Sequence, residues 1–504
     1  MRAAHRVMSW GLTAALLGTV ASGVAAQAPL SIIDWLETDD ETGPAGNPPV
    51  TESALQPEIE TQTLAAPDAP VGLVPASVTG LPLDLWARSD ADTVVRLIKG
   101  APVTGHPALQ SLLYSLLLTE AVGIQGDERL LLARIDRLLD LGAIEPAKAL
   151  VEVAGPTASP ALFARWVDMA FLAGEEDDVC AALEQTPHLA PNRETLIFCV
   201  ARRGDLNRAT LLFETSLALG ELDPDVAPVL DRFLHPELFE EDGPLPVPRA
   251  PSPLTFRLFE AVGERLPTAS LPRRFAAADL RDVAGWKAQL EAAERLARTG
   301  AISSNTLLGI YTERLPAASG GVWDRVAALQ RLETALGTGS ADAVAKTLPD
   351  AWTRMQRVGL DVGVADLFAE AVAEIPLPDG LARDRALELT LLSPSYEVLS
   401  RGFDPTSPQQ AFWIALAQGD LSAVSAQTAF ERAVAEGFQS AQDLPDTLSA
   451  DRLGETILRA IALFDRGADG NLDDLTTALR TFRAVGLEDV ARRAALQLLI
   501  AQEG

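Results

Sequence analysis

Between residues 127 and 235 apolar side chains recur every three or four positions, and that recurrence itself repeats along the chain. In 127–155, Leu131, Leu132, Ile135, Leu138 and Leu139 fall on one face of a predicted helix, Gly142 marks a turn, and Pro146 opens a second helix carrying Ala147, Leu150 and Val151. The next unit opens at Ser159-Pro160, runs through Trp166 to a turn at Gly174, and returns through Val179, Cys180 and Leu183. A third opens at Asn192, turns at Gly204-Asp205 and returns through Leu206, Ala209, Leu212 and Phe213. The turn glycines stand 32 and then 30 residues apart. A glycine in left-handed conformation ends one helix, and an Asp or Glu just beyond it caps the next. Similar punctuation returns at Gly300-Ala301-Ile302, Gly359-Leu360-Asp361, Gly419-Asp420-Leu421 and Gly486-Leu487-Glu488, and the chain ends on Arg492 and Arg493 followed by apolar Leu496, Leu498, Leu499 and Ile500.

Paired helices at a period just over 30 residues are the mark of a stacked α-solenoid. With Gly204, Asp205, Ala209 and Phe213 in the order such units use, the chain resembles the tetratricopeptide-like superfamily over 81–235 and parts of 280–504. The full consensus Trp-x-x-Leu-Gly-x-x-Tyr is absent and the unit lengths drift. The resemblance implies an all-α, tetratricopeptide-like solenoid of stacked helical hairpins. Six prolines within the eighteen residues from Pro236 to Pro253 stop any helix, so a linker at 236–256 is expected to separate a helical-repeat domain at 81–235 from a second at 257–504.

The N-terminus changes the picture. Residues 1–26 carry basic Arg2 and Arg6, a short apolar middle from Trp10 to Val24, and small residues Val24-Ala25-Ala26. That is the layout of a secretory signal peptide cleaved after Ala26, which predicts export to the periplasm. No later stretch has the roughly 20 apolar residues that span a bilayer. Residues 27–80 hold nine acidic side chains, no basic ones and eight prolines, a composition expected to be disordered. Within it lies a short apolar strip, Ile32, Ile33, Trp35 and Leu36, which Ser31 is placed to cap as a helical turn or two. It reads either as a docking peptide for a protein partner on an acidic tether or as a segment that packs back onto its own helical body.

Composition agrees with an all-α fold: aromatic residues are 5% of the 504, with only 3 Tyr, while Ala and Leu dominate. A net charge of -29 and a pI near 4.5 exclude phosphate-backbone binding and disfavour an anionic membrane surface. Proteins, cationic groups or ligands held by a local exception to the field remain as partners. The only cysteines, Cys180 and Cys199, lie nine or ten residues from the centre of the turn 187–191 on opposite arms of an expected antiparallel pair. Export allows them to be bridged, the alternative being two buried reduced thiols.

Candidate chemistry is sparse. His106, His188 and His235 each stand beside proline in a turn, with no helical spacing for a metal site. Residues 465–473 are similar to a calcium loop around Gly470, but Gly467 occupies a ligand position and Thr476 replaces the bidentate Glu, so a helix–helix turn capped by Asn471 is the expectation. The densest unusual feature is a run of arginines from Arg265 to Arg325. Inside it, Ser319-Gly320-Gly321 before a helix start exposes backbone N–H groups, and Arg314, Trp323 and Arg325 flank them, which suits a weak anion site. The alternative is a tight turn with Trp323 as core and the arginines paired to carboxylates.

Soluble lytic transglycosylases are similar only in their helical-repeat part, since the lysozyme-like domain has no counterpart here. No nucleophile elbow or zinc-protease helix occurs either. The leader, the strip SIIDWL and the stretches FAAADLRDVAGWKAQLEAAERLARTGAIS and PAASGGVWDRV resemble exported helical-repeat proteins of alphaproteobacteria, some labelled antifreeze-related. That resemblance implies the Gram-negative periplasm and no activity; flat Thr-rich ice-binding repeats are absent. The expectation is a periplasmic scaffold or adaptor for envelope proteins without cofactor or evident catalysis. The rival is a glycan- or anion-binding cell-wall module, with or without hydrolytic activity, centred on Arg314, Ser319 to Gly321, Trp323 and Arg325.

Overall fold

The computed structural model describes residues 69–502, except 125–126, 242, 282, 440–443 and 446–447. The leader and the strip Ile32, Ile33, Trp35 and Leu36 lie outside the described residues. Residues 65–504 belong to one compact unit, and among its described residues the regular structure is helical: twenty-three α-helices and five 3-10 segments. Two isolated bridges, Val71 to Ala121 and Val74 to Thr119, are the β-pairings seen there. Both bridges belong to 69–74, a stretch with no helix of its own. The fully buried Arg134 holds it in place by donating to the carbonyls of Val71, Leu117 and Thr119 at 3.0, 2.8 and 2.8 Å.

The glycine punctuation produces helical hairpins. Helices Arg129–Leu141 and Ile144–Ala154 meet at Gly142, helices Pro160–Ala173 and Glu176–Gln185 at Gly174, and helices Arg193–Arg202 and Leu206–Leu219 at Gly204. The three glycines have φ of 85°, 76° and 92°, the left-handed region that a side chain disfavours. Ser159, Asn192 and Asp205 then accept from backbone N–H groups of the following turn and so start the next helix. Cys180 and Cys199 are bridged across helices Glu176–Gln185 and Arg193–Arg202, with Cα atoms 4.9 Å apart. In the chain-entropy account, closing 19 residues constrains the unfolded state by about 3 kcal/mol. Phe171 and Phe198 meet edge to face beside it at 5.2 Å.

The prolines of 236–253 end helical structure, yet the residues beyond them return to the helices before them. Helix Pro253–Ala261 packs on Pro160–Ala173, and its Arg257 donates to the buried Glu176 at 2.7 Å. The 3-10 segment Arg273–Leu280 packs on both Arg129–Leu141 and Pro160–Ala173, and Thr299 Oγ1 donates to the Leu141 carbonyl at 2.7 Å. Helices Trp286–Ala297, Ser304–Thr312, Asp361–Ala373 and Leu381–Leu392 follow as packed neighbours, with Val322–Thr338 and Ala341–Gln356 paired alongside them.

The last helix closes a circuit. Glu488–Ala501 packs on Leu381–Leu392 and on Pro107–Leu118, which itself packs on Arg129–Leu141. It is buried at Ala491, Ala494, Ala495, Leu496, Leu498, Leu499 and Ile500, so it has apolar neighbours nearly all round. His106 supplies no side-chain cap to Pro107–Leu118; the Gln497 Oε1 accepts from Ala108 N at 2.9 Å instead. A second closing contact sets Gly454, in helix Leu453–Ala468, against the fully buried Trp86. A Cβ there would lie 2.5 Å from the indole ring.

Replacing Gln497 by Ala leaves the Ala108 N–H buried and unpaired, and is expected to lower unfolding free energy in urea by about 1–2 kcal/mol. Gly454→Ala gains helix propensity but forces the Trp86 ring to move, so a net loss of about 1–3 kcal/mol is expected; an unchanged urea midpoint for both variants would show that the ends of the chain do not depend on this closure.

Candidate functional site

A pocket of about 420 Å³ opens where the circuit's helices meet. Pro107–Leu118 contributes Gln110, Ser111 and Tyr114; the turn after Trp286–Ala297 contributes Arg298; Asp361–Ala373 contributes Asp366; the closing helix contributes Arg493. Leu307, Leu360 and Leu392 stand in its wall but are almost wholly buried. The size falls within the range usual for small-ligand sites.

Several polar groups at this pocket are not satisfied by the protein. The Tyr114 hydroxyl and the Nε atoms of Arg298 and Arg493 are without a hydrogen-bond partner, and each is closed off from the open space of the pocket. Burial pushes the Tyr114 phenol well above its ordinary value, so it stays protonated and able to donate. Arg492, one residue from Arg493, pairs with Glu397 and Glu488, whereas no carboxylate among the described residues lies within ion-pair distance of Arg493. Arg298 approaches Glu294 at 3.4 Å, but that carboxylate is already held by Arg325 through two bonds of 2.6 and 2.7 Å and by the Tyr311 hydroxyl at 2.6 Å. Burial pushes Arg273 down, and the neighbouring charges of Arg295 and Arg298 push it further. The charged residues of the pocket wall are thus Arg298, Arg493 and Asp366, in a protein of net charge -29.

The structure sends the residues of the stretch 311–325 in different directions. Arg314 is exposed and donates to the adjacent Glu313 at 2.7 and 2.9 Å. Ser319, Gly320 and Gly321 are exposed, and Gly320 N donates to the Asp324 carboxylate at 2.9 Å. Trp323 is half-buried against Trp286, ring centroids 5.2 Å apart. Arg325 points inward to Glu294, so the two arginines do not converge.

Other chemistry-bearing residues serve local structure. His106 lies edge-on to Phe464 at 5.0 Å, and burial lowers its pKa. His235 contacts Asp231 and Thr210, and His188 lies in the 3-10 turn Pro187–Leu189. Asn471 accepts from Asp474 N and starts helix Leu472–Ala484. Helix Leu206–Leu219 buries Ala209, Phe213 and Ser216 but leaves Leu206, Leu211, Leu217 and Leu219 between 52% and 67% exposed. Tyr114 and Asp366 went unnoticed in the sequence, and Arg493 read only as the head of a closing helix, because no local spacing links them. No family model, curated protein or solved structure matches the chain.

One buried carboxyl makes stability depend on pH. Desolvation raises Asp168, on helix Pro160–Ala173, to about 6, against the attraction of Arg274 and Arg165 and with help from Asp136. Between the ordinary value of 3.8 and about 6 the folded state keeps a proton that the unfolded chain releases, so stability declines as pH rises through that window. Asp168→Asn is expected to flatten this decline and to raise unfolding free energy at neutral pH by about 1–3 kcal/mol; denaturant titrations of both proteins at successive pH values measure it, and parallel curves would refute the assignment.

Proposed function

We propose that the protein is an exported, tetratricopeptide-like repeat adaptor of the Gram-negative periplasm that binds other envelope proteins. The leader pattern and the disulfide favour export, since such bridges persist in oxidising compartments. The three successive hairpins with left-handed glycines favour the repeat reading. One observation carries the binding reading: helix Leu206–Leu219 ends the row of hairpins with four leucines more than half exposed. Terminal repeats are otherwise expected to turn a polar face to water. Leu206 and Leu217 fall on one side of that helix, where an apolar side chain of a partner protein can cover them.

Leu206→Ser together with Leu217→Ser tests the reading. Neither side chain is buried, so the thermal midpoint should stay within about 2 °C of the parent. A photo-crosslinking residue placed at 211 in cells should yield a discrete adduct with the parent and about tenfold less with the double variant. Equal adduct from both proteins, or none from the parent, would overturn the adaptor role of this helix.

A further inference from the structure

We propose that the proline strap 243–251 is a polyproline II docking segment for a partner protein whose groove is lined by Tyr or Trp and carries a carboxylate at its rim. This goes beyond the adaptor reading and stands on different residues. Proline fixes φ at about -65°, and a residue that precedes proline is driven to extended backbone. With prolines at 244, 246, 248 and 251, both restrictions together govern every residue of the strap but Arg249. The conformation they favour, polyproline II, completes a turn in three residues. Burial follows that period: Leu245 and Pro248 are half-buried and Pro251 is buried, while Pro244, Pro246, Val247, Arg249 and Ala250 are exposed. Two contacts hold the strap against the body. Glu264 Oε2 accepts from Leu245 N at 2.8 Å, and Arg232, itself paired with Glu264, donates to the Gly243 carbonyl at 2.9 Å.

A rod with three residues per turn has three edges, and an aromatic-lined groove grips two of them. Here the protein's own body takes the third. The two edges that a groove needs, Pro244 with Val247 and Pro246 with Arg249, face water. No carbonyl from 244 to 250 accepts a hydrogen bond from the described residues, so a row of acceptors is open to the O–H of Tyr and the N–H of Trp. Beside the strap lies a cleft of about 550 Å³, lined by exposed Pro224 and Pro228 as well as by exposed Pro246 and Val247, which gives one of the partner's aromatic side chains apolar surface to lie against. Arg249 makes no ion pair among the described residues, although Asp223 and Asp225 line the same cleft, and its guanidinium is therefore available to a carboxylate of the partner.

Photo-crosslinking with the full chain tests this. A benzophenone side chain at position 250, beside the exposed edges, is irradiated in an extract of the cells that make the protein, and mass spectrometry maps the partner residue it joins. The synthetic peptide 243–251 at about 1 mM should cut the adduct about tenfold, and the same peptide carrying Pro244→Ala, Pro246→Ala and Pro248→Ala should not. In the full chain, Pro246→Ala and Arg249→Glu should each lower the adduct at least about fivefold. Arg249→Glu alters one exposed side chain, so it keeps the test valid if Pro246→Ala loosens the strap. In the partner, replacing the Tyr or Trp nearest the joined residue by Ala should remove the adduct. The proposal fails if no adduct forms, if the adduct joins two copies of this chain, if both peptides compete alike, if Arg249→Glu crosslinks as the parent does, or if the joined surface of the partner holds no Tyr or Trp. The adduct should survive Leu206→Ser with Leu217→Ser; its loss there would show that the strap is not a site of its own, and its survival keeps this test separate from that of the adaptor helix.

Discussion

The return of the final helix onto Pro107–Leu118 is the constraint on which the rest of the fold depends. A helix that is apolar on nearly every side has no stable place at the end of an open row. Glu488–Ala501 is such a helix, and it is enclosed because helices from both ends of the chain surround it. Closure in turn supplies what Pro107–Leu118 lacks. Its first turn takes an acceptor from Gln497, far along the sequence, where most helices take one from a neighbouring residue. Each end therefore satisfies a need of the other. Contacts of this sequence separation must wait for most of the chain to be ordered, so the closure is expected to form late in folding.

The second organising element is the distribution of arginine. Between Arg257 and Arg325 four guanidinium groups, those of Arg257, Arg265, Arg281 and Arg325, are met by carboxylates taken out of water: Glu176, Glu260, Asp279 and Glu294. Removing one partner of such a pair strands a charge, which is why these pairs specify geometry more than they add net stability. They join helix Pro253–Ala261 to Glu176–Gln185, and Val322–Thr338 to Trp286–Ala297, so the segment after the prolines is registered against the segment before them. Arg493, like Arg273 and Arg295, has no carboxylate partner among the described residues. Its neighbour Arg492 is paired twice, and the difference between the two residues lies in which faces the cavity.

What the sequence made legible follows from the range of its signals. Glycine punctuation and capping residues act within a turn, so Gly142, Gly174 and Gly204 located the hairpins, and Ser159, Asn192 and Asp205 their helix starts. Hairpin geometry also put Cys180 and Cys199 at matching height, where they are bridged. A period near 30 residues describes how one hairpin follows the next and is silent on where a row ends. For that reason neither the closing contact nor the pocket, which unites Tyr114, Arg298 and Arg493, left a local trace. At 311–325 the spacing left two arrangements open, and Arg314 and Arg325 are each paired to a carboxylate: one precedes the turn and lies in water while the other stands on the first turn of Val322–Thr338, facing Glu294.

Closure also bears on where binding surface remains. Helices of the circuit have neighbours on both sides, and their apolar faces are used up in packing. Leu206–Leu219 packs chiefly on Arg193–Arg202 and on helix Ala227–Leu234, and it uses Ala209, Phe213 and Ser216 to do so. Its leucines lie off that face, and nothing in the chain's own described structure buries them. Leu206 and Leu217 share one side of the helix while Leu211 and Leu219 point elsewhere, and side chains already about half covered forgo only part of the roughly 1.5–3 kcal/mol of full burial. The candidate surfaces thus separate physically: leucines on an outer helix, and an inner pocket walled by Arg298, Asp366 and Arg493.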